Sequence, residues 1–130
     1  MSACKKNSND VIDDKATIVG KWYQKKSVAS AYENGVKKGA DDVDSDFTVK
    51  DYIEFKSNGK AVSGSSNGIE SSYTVTGNKV KITYSNPSDN QEFTINKLTS
   101  TDLVLYWEYD IQMKNGVVVY KEATELTFKK

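Results

Sequence analysis

Apolar and polar residues alternate along most of the chain from Gly20 onward, in short segments that end at turn residues. Side chains of a β-strand point alternately to its two faces, so this alternation predicts strands with one buried face. No segment carries the sustained 3.6-residue apolar period that a helix needs. The pattern predicts eight strands, at residues 20–29, 49–56, 60–64, 70–76, 79–85, 91–98, 102–113 and 117–129.

Three two-residue turns predict how these strands pair: Asn58-Gly59, Gly77-Asn78 and Asn115-Gly116. Gly and Asn adopt the positive φ angles of tight hairpin turns, and each turn fixes every pairing that follows it. The last turn predicts one almost entirely apolar or aromatic face, with the pairs Met113–Val118, Ile111–Tyr120, Tyr109–Glu122, Trp107–Thr124, Leu105–Leu126 and Leu103–Phe128. The other two turns likewise each predict one apolar face, with the pairs Val75–Val80, Tyr73–Ile82 and Phe55–Val62.

All consecutive strands can be antiparallel neighbours, and eight strands are enough to close a barrel that is filled or holds one small ligand. We therefore predict an all-β fold, an eight-stranded antiparallel up-and-down β-barrel, with a two-sheet sandwich as the alternative. Connections after the second, fourth and sixth predicted strands are short, and those after the first, third and fifth are longer. We call these the closed end and the open end. The longest connection, residues 30–48, is expected to act as a lid at the open end.

Composition narrows the function classes. The chain has 130 residues, which suits one domain, and its 18 basic and 18 acidic residues cancel, so no charge footprint for nucleic acid is present. The absence of His removes the commonest general base and metal ligand. Cys4 is the single cysteine, so neither an intrachain disulfide nor a Cys-based zinc site can form.

The sequence carries neither a complete metal-binding motif nor a catalytic motif. Asp42, Asp44 and Asp46 have the opening spacing of a calcium loop, but Phe47 and Ile53 stand where the EF-hand pattern requires Gly and Glu. No serine nucleophile motif is present, and the predicted register leaves one inward carboxylate without a catalytic partner. We therefore expect no enzyme activity, no metal and no cofactor.

The N-terminal residues 1–17 are polar and predict a tether ahead of a barrel domain at residues 18–130. Ser2-Ala3-Cys4 resembles the end of a bacterial lipobox, in which the cysteine carries the lipid. Cys4 is therefore the lipidation candidate, and a free thiol in a polar tail is the alternative. A lipid on Cys4 would be the only contact with a membrane.

Several motifs, in order and spacing, carry a family resemblance: Cys4, Val19 to Trp22, Phe55 to Lys60, and Leu98 to Leu105. The chain resembles the lipocalin and calycin group, most closely the small lipocalin-like lipoproteins of Gram-negative bacteria. The resemblance implies a lipid anchor at the outer membrane and a barrel with a small-molecule cavity or a partner-binding mouth. The chain departs from larger lipocalins in having no Arg to stack on the Trp from the last strand, and Lys129 or Lys130 could take a related place.

The register predicts two different ends for the barrel. Gly20 and Trp22 are expected to form a structural floor at the closed end. The open half is expected to hold any pocket, with these ligand-binding candidates: Ile53, Tyr73, Tyr84, Phe93, Tyr109, Ile111, Tyr120 and Glu122. Glu122 is either a hydrogen-bonded structural group or a recognition point for a polar or cationic ligand.

Together these features predict a non-enzymatic, monomeric protein of the bacterial cell envelope that binds a small amphipathic molecule in its open end. The alternative is a filled barrel whose open-end loops contact a protein or a glycan. Interior volume separates the two hypotheses.

Overall fold

A computed structural model describes residues 11–12, 17–115 and 117–130, and the structural statements below concern these residues. Its eleven strands are β1 (Val11–Ile12), β2 (Gly20–Glu33), β3 (Val36–Lys37), β4 (Asp42–Asp44), β5 (Tyr52–Phe55), β6 (Lys60–Ser63), β7 (Glu70–Thr76), β8 (Lys79–Thr83), β9 (Gln91–Leu98), β10 (Asp102–Lys114) and β11 (Val117–Lys129). Two single-turn 3₁₀ helices lie at Gly64–Ser66 and Pro87–Asp89. No helix in the described part of the chain has the length and apolarity to cross a membrane.

Eight of the strands close into an antiparallel barrel, which confirms the predicted fold class. The order around the barrel is β2-β5-β6-β7-β8-β9-β10-β11, and β11 pairs back with β2. The alternative of a two-sheet sandwich is therefore wrong. The remaining strands are additions to this ring, since β3 and β4 pair with β2, and β1 pairs in parallel with the end of β9.

The predicted hairpin register is confirmed for β7–β8 and for most of β10–β11. Confirmed pairs are Tyr73–Ile82, Val75–Val80, Leu103–Phe128, Leu105–Leu126, Trp107–Thr124, Tyr109–Glu122 and Met113–Val118. The Ile111–Tyr120 pair is wrong, because a bulge in β10 brings Gln112 opposite Tyr120. A bulge inserts one extra residue, and a turn signal cannot reveal one that lies several residues away.

The hairpin between β5 and β6 also differs from the prediction, by one residue. Its loop is residues 57–59, with Gly59 at a φ of 84°. Three-residue loops commonly place a left-handed residue last, after a type I turn. Phe55 therefore lies opposite Ala61, and the predicted Phe55–Val62 pair is wrong.

The lid expected at residues 30–48 is wrong as well. Strand β2 continues to Glu33, and a tight turn at Asn34-Gly35, with φ angles of 52° and 81°, returns the chain along it. Strands β3 and β4 then pair with β2, so this segment extends the sheet and does not cross the mouth. The Asn34-Gly35 dipeptide is a strong hairpin signal that our strand prediction passed over.

The hydrophobic core fills the closed end of the barrel. Its fully buried side chains are Trp22, Phe55, Val80, Ile82, Ile95, Leu103 and Leu105. Three short turns, at residues 57–59, 77–78 and 99–101, connect the strands there. Burying seven large side chains concentrates the hydrophobic stabilisation of the barrel at this end.

Three strands continue past the barrel wall at the open end. The last bridge from β10 to β9 joins Tyr106 and Thr94, yet β10 goes on pairing with β11 as far as Lys114. We call this projecting part the extension: residues 30–33 of β2, 108–114 of β10 and 117–123 of β11. At about 3.3 Å per residue, its seven-residue strands project roughly 23 Å. Among the described residues, β9 forms no bridge with this part of β10.

Candidate functional site

A cavity of about 200 Å³ lies inside the open half of the barrel. Its apolar floor consists of Ile53, Ile82, Phe93, Leu105, Leu126 and Phe128. The barrel is therefore not completely filled above its core. The floor side chains come from five different strands, so only closure of the ring brings them together.

Polar groups surround the same cavity at its rim. They are Gln24, Lys50, Asp51, Ser63, Ser65 and Gln91, with the rings of Tyr52 and Tyr84 between rim and floor. The Asp51 carboxylate accepts a hydrogen bond from the Thr48 amide (2.8 Å), which fixes the loop that carries the rim. The Lys50 ammonium has no ion-pair partner among the described residues. The rim therefore offers one ammonium and one carboxylate beside neutral donors and acceptors, and the carboxylate already accepts from Thr48.

Three of the sequence-based candidates, Ile53, Tyr84 and Phe93, line this cavity. Phe93 is buried and packs edge-on against Trp107, with ring centroids 5.2 Å apart. Burying the two rings against each other fixes the shape of one cavity wall. The indole of Trp107 also lies one ring away from the cavity, which makes it a natural fluorescent reporter.

Tyr73 lies at the closed end and not in the open half where we expected it. Its ring packs edge-on against Phe55 (4.8 Å between centroids), and its hydroxyl donates to the Lys56 carbonyl (2.7 Å). Burial raises the pKa of this phenol. Tyr73 is only four residues before the closed-end turn at Gly77-Asn78. Its amide donates to the Gly59 carbonyl (2.9 Å), which holds β7 beside the β5–β6 loop.

Tyr109, Tyr120 and Glu122 lie on the extension and do not line the cavity. Tyr109 is 48% exposed, and its hydroxyl donates to the Glu122 carboxylate (2.6 Å), which raises the pKa of the phenol. Glu122 thus takes part in a hydrogen bond between neighbouring strands. The side chain of Ile111 lies outside the described part of the structure, as does Cys4.

The Gly20–Trp22 motif lies at the closed end beneath the last residue of the chain. Trp22 is fully buried, and its indole N–H donates to the Ile18 carbonyl (2.8 Å). The Lys130 ammonium sits 4.8 Å from the Trp22 ring and donates to the Val19 carbonyl (3.2 Å). Gly20, at a φ of 139°, leaves room for this side chain, because a Cβ there would meet Lys130.

A second and larger concavity, of about 430 Å³, lies on the outer face of the extension. We call it the outer cleft; it is lined mainly by Tyr32, Asn34, Tyr106, Glu108, Tyr120 and Lys121. Sequence reasoning missed this cleft, because it assigned residues 30–48 to a loop. The Asn34-Gly35 turn was the signal that could have found it.

The described part of the chain lacks a cluster of side chains that could bind a metal ion. There, no group of three or more His, Cys, Asp or Glu side chains is arranged to hold a metal ion. Every buried side-chain nitrogen and oxygen in that part has a hydrogen-bond partner.

Comparison with known proteins places the architecture in a family. No curated protein and no solved structure matches the chain. The model of the lipocalin-like domain family matches residues 18–105, from the segment before the Gly20–Trp22 motif to the middle of β10. With the closed eight-stranded barrel, this match shows that the chain belongs to the lipocalin-like domain family.

Proposed function

We propose that the protein binds a small amphipathic molecule in the interior cavity, without chemical turnover. A lipocalin-like barrel suggests a small-molecule-binding domain, and the family generally binds ligands and is not enzymatic. The observation that carries the proposal is the two-layered cavity, with six apolar side chains below a polar rim. A filled interior would have favoured the loop-mediated alternative.

The volume of the cavity and the charges on its rim restrict the class of ligand that it can bind. Pockets for drug-sized ligands commonly enclose about 300–1,000 Å³, so a volume of about 200 Å³ favours a short apolar body. Each methylene buried on the floor contributes about 0.8 kcal/mol. The Asp51 carboxylate already accepts from the Thr48 amide, whereas the Lys50 ammonium has no ion-pair partner among the described residues. The rim therefore favours a carboxylate or neutral head group over an ammonium. A short-chain amphiphile with an anionic head meets both conditions.

Fluorescence titration with three matched amphiphiles tests this proposal. Octanoate, octanol and octylamine share an apolar chain and differ in head-group charge. We expect a change in Trp107 emission with all three ligands, because Trp107 packs against cavity-lining Phe93. Octanoate should bind tightest, and Lys50→Ala should remove most of its advantage over octanol.

A pair of matched substitutions separates cavity binding from surface adsorption. Ile53→Phe adds a ring to the cavity floor and should weaken binding of all three amphiphiles by about tenfold or more. Val75→Phe adds comparable bulk at a position that is 44% exposed near the closed end, and it should leave binding unchanged. Absence of saturable binding, or equal weakening by both substitutions, would contradict the proposal.

We also propose that a lipid on Cys4 anchors the protein to the bacterial outer membrane. Strand β1 supports one orientation, because Val11 and Ile12 pair with Lys97 and Leu98 next to the closed-end turn. A short tether from that point would direct the open end away from the bilayer.

Expression behind a lipoprotein signal sequence in a Gram-negative host, followed by detergent phase partitioning, tests the anchor. The parent protein should enter the detergent phase, and Cys4→Ala should remain in the aqueous phase. Partition of both into the aqueous phase would reject the anchor while leaving cavity binding intact.

A further inference from the structure

The outer cleft combines aromatic surface with fixed polar groups on three adjacent strands. Tyr106 comes from β10, Lys121 from β11 and Tyr32 from β2, and Lys121 lies directly opposite Tyr32. Ala123 lies two residues along β11 from Lys121, opposite Glu108 and Ser30, and is 5% exposed. The volume of the cleft, about 430 Å³, is within the usual range for ligand sites.

A hydrogen-bonded network fixes the polar groups of the cleft. Glu108 accepts a hydrogen bond from the Tyr106 hydroxyl at one carboxylate oxygen (2.7 Å) and from the Lys121 ammonium at the other (3.2 Å). The hydrogen bond from Tyr106 holds the pKa of Glu108 below its usual range, while burial raises that of Tyr106 to about 12. Both groups therefore keep one protonation state near neutral pH. The Glu108 and Lys121 side chains remain 45% and 38% exposed, so their unused hydrogen-bonding capacity reaches solvent.

The Asn34-Gly35 turn, which borders the cleft, is also fixed. The Asn34 amide donates to the Val119 carbonyl (2.9 Å), and Glu33 forms an ion pair with Lys38 (3.0 Å) behind the turn. Preformed walls lower the entropy cost of binding. The cleft thus exists before any ligand arrives.

The charge balance of the cleft selects the ligand class. Among the described side chains that line the cleft, Glu108 and Lys121 are the charged ones and they neutralise each other, so neither a free anion nor a free cation meets an unpaired countercharge from them. Tyrosine rings offer flat apolar surface with hydroxyl tips, and the Asn34 side chain both donates and accepts. A ligand that fits this set is neutral, has an apolar face, and carries many groups that donate and accept hydrogen bonds.

We propose that the outer cleft is a binding site for a neutral saccharide, separate from the interior cavity. The sugar's C–H face packs on Tyr32 and Tyr106, and its hydroxyls donate to Glu108 and accept from Lys121.

Isothermal titration calorimetry with maltotriose, triacetylchitotriose and choline chloride tests the site on the full chain. At least one trisaccharide should bind, and choline should bind more weakly or not at all. Tyr32→Ala should weaken trisaccharide binding about fivefold to tenfold, while Tyr23→Ala on the same strand should leave it unchanged. Tyr106→Phe keeps the ring and removes the hydroxyl, so it should weaken binding without unfolding the barrel.

Several results would overturn the proposal. They are absence of binding for both trisaccharides, tighter binding of choline, or equal effects of Tyr32→Ala and Tyr23→Ala. Loss of trisaccharide binding in Ile53→Phe would assign the sugar to the interior cavity and would also reject the outer site. Octanoate binding in Tyr32→Ala should match the parent protein, so failure of this proposal is distinguishable from failure of the interior one.

Discussion

The closed and open ends of the barrel are built from the same long strands, yet they differ in what their side chains contact. At the closed end, Trp22, Phe55 and Leu103 have no exposed surface. At the open end, Tyr109 is 48% exposed. The alternating pattern is the same in both places, but it produces a core only where an opposite wall exists. Stability should therefore concentrate at one end and ligand contact at the other.

Trp22→Ala should show the largest effect. Removing a fully buried indole leaves a void and an unpaired Ile18 carbonyl, so we expect a loss of about 3–5 kcal/mol in the free energy of unfolding. Urea denaturation measures this loss. Tyr109→Ala at the open end is the matched aromatic truncation and should cost about 0.5 kcal/mol or less. Similar losses at the two sites would remove the contrast between the ends.

Gly64→Ala tests whether the backbone at the cavity rim contributes both to stability and to ligand binding. A Cβ at residue 64 would collide with the Lys50 backbone carbonyl, so the rim segment must shift. We expect a loss of about 1–3 kcal/mol in thermal or urea unfolding, together with weaker octanoate binding. Gly39→Ala is a suitable control, because that glycine has open space around it and only its φ of 70° opposes a side chain. If octanoate binding survived Gly64→Ala, the rim would not shape the cavity.

Lys130→Ala tests whether the Lys130 side chain, which lies over Trp22, stabilises the closed end. It removes a cation from the Trp22 ring and a hydrogen bond to the Val19 carbonyl. We expect a loss of about 0.5–1 kcal/mol, because the ammonium is exposed to solvent. Lys130→Arg should retain most of this stability, since guanidinium also packs on aromatic faces. An unchanged urea midpoint for Lys130→Ala would show that the Lys130 ammonium over the Trp22 ring does not stabilise the fold.

The smallest effect should be a pH dependence at the closed end. Lys129 holds the pKa of Asp102 below its usual range. A lowered folded-state pKa contributes stability above the unfolded value near pH 4, and that stability is lost as pH falls through the folded value. Asp102→Asn should therefore unfold earlier than the parent at pH 7, by about 0.5 kcal/mol. The two proteins should converge in urea titrations as pH falls below the folded-state pKa of Asp102, and a constant difference across pH would contradict the assignment.

Sequence reasoning located part of the candidate site. Phe93 and Ile53 were predicted to face inward and do line the cavity. Tyr109 and Glu122 were predicted as an inward pair, and their pairing is confirmed, but they lie beyond the wall formed by β9. The alternation indicates which face a side chain occupies. It does not indicate whether another strand stands opposite that face.

The sequence by itself determined the strands, their alternating faces and the hairpins, because these depend on neighbouring residues and on the φ preferences of Gly and Asn. Tertiary structure alone decided three other features. One is the irregularity at Gln112, which changes the partner of Tyr120 before the predicted register resumes at Met113–Val118. Another is the second bulge between β2 and β11, at the Thr127/Phe128 step. The last is the point at which β9 and β5 stop pairing and leave the extension. These depend on closing a ring of eight strands, which is a geometric condition on residues far apart in the chain.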